Sequence, residues 1–427
     1  MRVLWFANTP SNFSTEGSSY NGTGWVSALE SEIRDKVELG LCFMTIKPLE
    51  SLSSCEIHRS DKGRCCWLRA RQHGVDYYPV HNAYDRRRSD RIKKLLGFSN
   101  GENDLVRCFT EVVEDFRPDV IQIFGSEHSY GLVAKHTDVP VILHLQGIMN
   151  PYFKSFFPPG VSWNSYIVSP FSPSKVFQKL YLKKKWERAC EREKTIFSAV
   201  KYYLGRTAWD RSEVLKYNPS AVFYHGDEIL RRPFYDADIN ATVMPSSLKL
   251  VTTISEPTYK GYDVVLRAGK ILKEVYGIDF EWKVYGNIDP RFFEKLTGIR
   301  TADAGITLAG VATADELVEA ISAASMYVHP SYIDNSPNSL CEAQLLGAAV
   351  VATSVGGVPT LIEDGVTGFL VRSGNADDIA ERVVAMYRDK TTLRRIGRQA
   401  REVALQRHNR DRIVADLLKA YSELVNR

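Results

Sequence analysis

Two carboxylates eight residues apart, Asp334 and Glu342, stand in the stretch YVHPSYIDNSPNSLCEAQLLGAAVVATSVGGVPTLIEDGVTGFLV, Tyr327 to Val371. It reads as strand, polar loop, helix, strand, Gly-Gly turn and helix. Ser336 is placed to cap the helix that follows, and Pro337 suits the first helical position, where a missing N–H costs nothing. Gly347 ends that helix after a short apolar face of Leu340, Ala343 and Leu346. Free backbone N–H groups at the helix start then point into the polar loop, an anion site. Carboxylates beside it cannot hold the anion and must grip hydroxyls. A phosphate-binding helix start flanked by hydroxyl-binding acids is what a sugar nucleotide requires.

Asp334, Glu342, Ala343, Val350–Thr353, Gly356 and Gly357 also follow the order of a longer pattern: an acid, seven residues, Glu-Ala on a helix, a small-residue strand and a Gly-Gly turn. In this the chain resembles the retaining nucleotide-sugar glycosyltransferases of family 4, which have the GT-B fold. The first acid is usually Glu in that family; Asp334 reaches about one methylene less far. The resemblance implies that Glu342 holds the ribose hydroxyls, that Asp334 holds those of the donor sugar, and that the loop and helix start (Asn335, Ser336, Asn338, Ser339) receive the donor phosphates. It also implies that the acceptor attacks on the face the diphosphate leaves, without an enzyme nucleophile. The motif covers the second half of the chain; the first half is similar by organisation.

A second site lies in TISEPTYKGYDVVLRAGKIL, where a strand ends near Ile254 and Lys260-Gly261 precede a helix with Val264, Val265, Ala268, Ile271, Leu272 and Val275 at helical spacing. Lys260 and Gly261 match the family's Lys-Gly, which clamps the diphosphate with an Arg soon after the strand. Here Ser255 or Glu256 stands in place of that Arg. Either Lys260 bears the leaving-group charge with helix-terminal N–H groups alone, or another basic residue substitutes. In LAGVATADELVEAI, Thr313 and Glu316 form a capping box, and the resemblance sets the preceding Gly310 and Val311 against the nucleobase. After the first strand, Asn21-Gly22-Thr23-Gly24 is either a glycine loop approaching the donor, through Gly22 and Gly24, or a flexible turn. His144 resembles the family's histidine near the reacting end of the sugar. Glu127 and His128 look like acceptor contacts.

Short apolar strands alternate with helical stretches, as in parallel sheets with helices on both faces. The expected fold class is α/β: GT-B, two Rossmann-like domains with parallel sheets facing across a cleft. Strands are expected at Arg2–Ala7, Val37–Ile46, Val75–Val80, Val120–Phe124, Val139–Leu145 and Tyr202–Leu204. A second set falls at Lys249–Ile254, Phe280–Tyr285, Ile306–Leu308, Met326–Val328, Ala349–Ala352 and Gly368–Val371. The division is 1–235 for an acceptor-binding domain, 236–247 for a linker inside the proline-containing segment 231–247, and 248–409 for a nucleotide-sugar-binding domain. Residues 410–427 form a helix expected to pack back on the first domain.

A chain of 427 residues with 44% hydrophobic and 25% charged residues suits two soluble domains. No apolar run approaches the ~20 residues of a membrane span, and the MRVLWFANTPS start reads as a buried strand rather than a signal peptide. The seven cysteines lack C-x-x-C spacing and read as free thiols of a cytoplasmic protein, in preference to a metal site at Cys55, His58, Cys65 and Cys66. No metal or other cofactor is expected: the D-x-D string Asp236-Ala237-Asp238 lies in the linker rather than after an apolar strand. A net charge of +4 is too small to argue for nucleic acid. The basic segments 86–98 and 179–194 are either contacts to an anionic membrane at its inner face or solvated helix faces. The aromatic loop Pro151–Pro159 is either an acceptor or membrane contact or packed. The expected activity is transfer of a sugar from a nucleotide sugar to a glycan or lipid-linked saccharide, in cell-surface polysaccharide synthesis. The alternatives are a nucleotide-sugar epimerase of similar fold and a non-catalytic nucleotide-sugar-binding protein.

Overall fold

The computed structural model describes residues 1–13, 24–52, 57–59, 65–82, 101–169, 173–237 and 245–427. The first domain is built on β1 (Arg2–Ala7), β2 (Glu38–Thr45), β3 (Ile57–Arg59), β4 (Cys65–Leu68), β5 (Ala70–Gln72), β6 (Val75–Asn82), β7 (Val120–Phe124), β8 (Val141–His144), β9 (Tyr202–Gly205) and β10 (Val222–His225). Seven of them run parallel in the order β10-β9-β8-β7-β1-β2-β6, and β3, β4 and β5 add an antiparallel margin beside β6. Central strands such as β1 and β7 are buried along nearly their whole length, the mark of a sheet covered on both faces. The six expected strands of this domain are present. The margin strands and β10 were not expected, because each is only three or four residues long, and β3, β5 and β10 are also partly exposed.

The second domain holds β11 (Leu248–Thr253), β12 (Phe280–Tyr285), β13 (Ile306–Gly310), β14 (Met326–His329), β15 (Ala349–Thr353) and β16 (Phe369–Val371). All six are parallel, in the order β13-β12-β11-β14-β15-β16. The chain winds one way from β11 and the other way from β14. Loops leaving these two strands therefore diverge and open a crevice at their carboxyl ends. In the first sheet the same reversal falls between β1 and β7.

Two segments tie the domains together. The helix Arg410–Val425 buries Ile413, Val414, Leu417, Ala420, Tyr421 and Leu424 in the same core as Val3, Trp5 and Leu29 of the first domain. Trp5 Nε1 donates to the Tyr421 hydroxyl at 3.0 Å, and that hydroxyl donates to Gln122. Residues 232–236, expected to lie in an irregular linker, form a short helix whose Phe234 is fully buried beside Tyr327 and Leu340 of the second domain. Pro233 misleads as a linker signal because proline also fits the first turn of a helix.

Candidate active site

The loop after β14 carries Asp334 into the crevice with 4% of its surface exposed. Its carboxylate accepts from Lys260, from His329 Nε2 at 2.9 Å and from the Tyr152 hydroxyl at 3.2 Å. Burial pushes this acid upward, but Lys260 and then His329 outweigh burial and hold it below the usual carboxylate range. Burial depresses His329 below its ordinary value despite the bond to Asp334, so the imidazole is neutral at pH 7.

Close backbone approaches hold the two loops. Gly261 has φ +74°, and a Cβ there would lie 2.1 Å from the Pro330 carbonyl oxygen. Only glycine lets the Lys260 turn sit against the loop of Asp334. Gly356, with φ +52°, brings the Gly-Gly turn under the Asp334 carbonyl, which accepts from the Gly357 N–H at 3.0 Å.

The next helix runs Asn338–Leu345, one residue later than expected. Pro337 is its cap residue, with ψ 117° in the extended region, and no side chain caps it. Ser336 is therefore not the cap; its carbonyl accepts from Arg206 instead. Gly347 ends the helix at φ +73°, as expected. Glu342, also 4% exposed, points back toward the segment between the domains, where Arg231 Nε and Nη2 each donate to it at 2.7 Å. Burial raises the Glu342 carboxyl, and the two Arg231 bonds pull against that rise without cancelling it.

First-domain side chains reach the same helix start. Arg206, just after β9, donates to Asn338 Oδ1 at 3.0 Å and lies 3.3 Å from Glu228; Asn338 Nδ2 donates to Glu228 at 2.6 Å. Asn335 donates from its backbone to the Tyr152 hydroxyl at 3.0 Å and from its side chain to the Gln146 carbonyl. The fold thus brings Lys260, Asp334, Asn335, Ser336, Asn338 and Glu342 to one crevice. It adds Tyr152, Arg206, Glu228, Arg231 and His329, which carried no signal in the sequence because isolated charged or aromatic residues have no pattern. Arg206 and Arg231 are the basic residues at this site that the segment after β11 lacks.

Residues 247–389 match the protein family described as Glycosyl transferases group 1. The second domain is a group 1 glycosyltransferase domain. Among curated proteins, a D-inositol 3-phosphate glycosyltransferase of Pseudarthrobacter chlorophenolicus is 33% identical over 172 residues, 39% of this chain and 41% of that protein. An alpha-maltose-1-phosphate synthase of Mycobacterium tuberculosis is 34% identical over 119 residues, 26% of this chain and 30% of that protein. The chain thus spans less than half the length of these relatives. Solved structures extend the likeness to the whole fold. Sucrose-phosphate synthase from Thermosynechococcus elongatus superposes with a TM-score of 0.68 at 14% identity, covering 99% of this chain and 98% of that one. Anabaena Alr3699/HepE, solved in complex with UDP and glucose, gives 0.61 at 14% identity over 99% and 100% of the two chains. The fold is GT-B.

Within the group 1 domain, Gly310 has φ +75° at the end of β13 and Val311 is 78% exposed beside it. Thr313 and Glu316 form the expected capping box. On the facing domain, Gly24 precedes the helix Trp25–Ile33 at an ordinary φ of −69°, so its backbone does not require glycine. Gly22 lies outside the described residues. His144 is 2% exposed, packed against Trp25 and Phe124 with Nδ1 3.3 Å from Gln122, and it is not among the contacts of Asp334, Lys260 or Glu342. Glu127 and His128 line a separate cavity of the first domain. Asp236 is exposed and paired with Arg232, while Asp238 is outside the described residues. Among the described residues no group of three or more His, Cys, Asp or Glu side chains is arranged to hold a metal. The aromatic loop is packed: Phe156 is buried against Trp163, Trp186 and Tyr259. Segment 86–98 is not described. Segment 179–194 lies in the helix Pro173–Ala199, and among the described residues no helix is long and apolar enough to cross a membrane.

Proposed function

We propose that this protein is a retaining, metal-independent glycosyltransferase that moves a sugar from a nucleotide sugar to a glycan or lipid-linked saccharide. We further place it at the inner face of the membrane, in cell-surface polysaccharide synthesis. The observation that carries the reading is the crevice at the β11/β14 switch, which gathers Lys260 with Arg206 and Arg231, one helix N-terminus and two buried acids, Asp334 and Glu342. Breaking a sugar–diphosphate bond needs the departing charge held, and Lys260 with the N–H groups at Asn338 and Ser339 supplies that. Before the donor arrives, each group is satisfied by a stand-in: Lys260 by Asp334, and Glu342 by Arg231. The incoming diphosphate replaces Asp334 around Lys260 and frees that acid for sugar hydroxyls. The ribose takes the place of Arg231 on Glu342. Gly310 and Val311 flank the base, and His144 stands behind the sugar. The acceptor oxygen bonds to the anomeric carbon on the face the diphosphate leaves.

A thermal-shift screen of UDP, GDP, ADP and CMP and their sugars, with and without EDTA, tests this on wild type and Glu342→Ala. A ligand at 100 times its dissociation constant adds about 2.7 kcal/mol of stability. One nucleotide is expected to stabilise wild type, ignore EDTA and fail on the variant. No shift from any of them refutes the donor site. Product formation only with added acceptor separates a transferase from an epimerase or a binding protein.

A further inference from the structure

A cavity of about 460 Å³ lies in the first domain, and the donor reading leaves it unused. It is bounded by Met44 of β2, by Glu127 and its neighbours after β7, and by one face of the helix Pro173–Ala199. That face presents Lys185, Arg188 and Arg192, spaced i, i+3, i+7 and so stacked along one side of the helix. Arg192 is tethered, donating to Glu102 at 3.0 Å and to the Glu127 carbonyl at 2.5 Å. Lys185 is exposed and makes no ion pair among the described residues. The opposite wall offers an acceptor of hydrogen bonds. Glu127 Oε1 takes the Gly147 N–H at 2.9 Å, while Oε2 is out of solvent and without a partner. Burial pushes the Glu127 carboxyl up to about 7. Burial, then Arg192 and Lys185, lower His128 to about 4, so it is uncharged at pH 7. The cavity adjoins the donor crevice: its Met149 stands one helical turn before Tyr152, which donates to Asp334.

We infer that this cavity holds the acceptor and that the acceptor carries a phosphate. Lys185, Arg188 and Arg192 take the phosphate oxygens, and Glu127 Oε2 takes the hydroxyl that receives the sugar. The inference rests on the transferase reading above. Three cations on one helix face exceed the two acids that line the cavity, Glu102 and Glu127, and arginine forks match phosphate geometry. In the transfer the acceptor oxygen forms its bond to the anomeric carbon as the bond from that carbon to the diphosphate breaks. The electron pair leaves with the nucleoside diphosphate, whose oxygen takes the hydroxyl proton. Glu127 positions the hydroxyl by accepting its hydrogen bond. The phosphate belongs either to a soluble sugar phosphate or to a lipid headgroup.

The test titrates the full chain with inorganic phosphate by calorimetry in saturating UDP, which fills the donor phosphate site. Wild type is expected to bind. Lys185→Ala/Arg188→Ala is expected to bind at least roughly tenfold more weakly, with its UDP thermal shift kept, and Lys185→Arg/Arg188→Lys to restore binding. Wild type that fails to bind phosphate, or an alanine pair that binds it equally well, overturns the site. Transfer assays then compare glucose 6-phosphate with glucose, and phosphatidylinositol vesicles with vesicles of glucosyl diacylglycerol, a lipid with sugar hydroxyls and no phosphate. A preference for the first member of either pair upholds the inference and names the source; equal or faster use of the second members overturns it. UDP is replaced by whichever screened nucleotide stabilises the protein, and if none of them gives a thermal shift, the donor reading has failed separately. The phosphate titration is then read on the unliganded protein, where loss of binding in the alanine pair still upholds the anion site and unchanged binding refutes it.

Discussion

Replacing Arg231 with Met keeps an apolar stem and removes the guanidinium, which lies over the Phe234 ring and donates to both Glu342 oxygens. The carboxyl left behind is 4% exposed and has lost its counter-charge. A buried acid in that position takes up a proton rather than stay charged. Holding a carboxyl of ordinary value 4.5 protonated at pH 7 costs about 3.4 kcal/mol, at about 1.36 kcal/mol per pH unit. This is a ceiling, because burial already raises Glu342 in the wild type. In the variant the folded-state value rises further above the unfolded one. The penalty is therefore full above the folded-state value, shrinks as pH falls through it, and is gone below 4.5. At pH 5 the same reasoning leaves about 0.7 kcal/mol. For a domain of this size, thermal unfolding should show Tm lowered by up to about 7–14 °C at pH 7 and by about 1–3 °C at pH 5. Equal losses at the two pH values, or none at pH 7, would refute the claim that Arg231 alone compensates a sealed carboxylate.

Tyr152→Phe removes one hydroxyl that serves both the Asn335 N–H and Asp334, and should cost about 1–3 kcal/mol in urea unfolding. A loss near zero contradicts the contact between the domains. Gly261→Ala should cost at least about 2 kcal/mol and abolish the UDP thermal shift, because its Cβ meets the Pro330 carbonyl at 2.1 Å and displaces Lys260. Gly277→Ala, with φ +59° but nothing within 4 Å, should cost about 1 kcal/mol and keep the shift. His408 is buried, and burial lowers it to about 3 from an ordinary 6.5. The folded state then binds fewer protons, so stability is lost as pH falls from 6.5 toward 3. The stability difference between wild type and His408→Gln should change by about 1.36 kcal/mol per pH unit between pH 6 and 4, and a difference independent of pH contradicts the burial.

The second domain was legible because its signals are local. A parallel strand buried on both faces must be a short apolar run, and a tight turn at positive φ must hold glycine, so β11, β14, β15 and β16 and the turns at Gly261 and Gly356 announce themselves, while β12 and β13, toward the edge, show through alternation. The helix start was misplaced by one residue, since Pro337 is compatible with either a first helical position or an extended cap. The proline criterion also misread the segment around Pro233, whose helix becomes evident only when Phe234 is seen filling a pocket of the other domain.

By itself the sequence determined the two-sheet α/β architecture, the acids at 334 and 342, the lysine at 260 and the final helix at 410–425, each set by the period of burial or by a backbone conformation few residues adopt. Only the tertiary structure decided what those groups touch. Arg231 on Glu342, Lys260 and His329 on Asp334, and Arg206 and Tyr152 reaching across the crevice join positions from 5 to 182 residues apart. A charge finds its partner through the three-dimensional path of the chain, and most of those separations exceed the range of any helical or strand period. The cavity facing Lys185, Arg188 and Arg192 belongs to the same class: the helix period aligned the three cations, and the fold set that helix across a shared space from Met44 of β2 and the loop after β7.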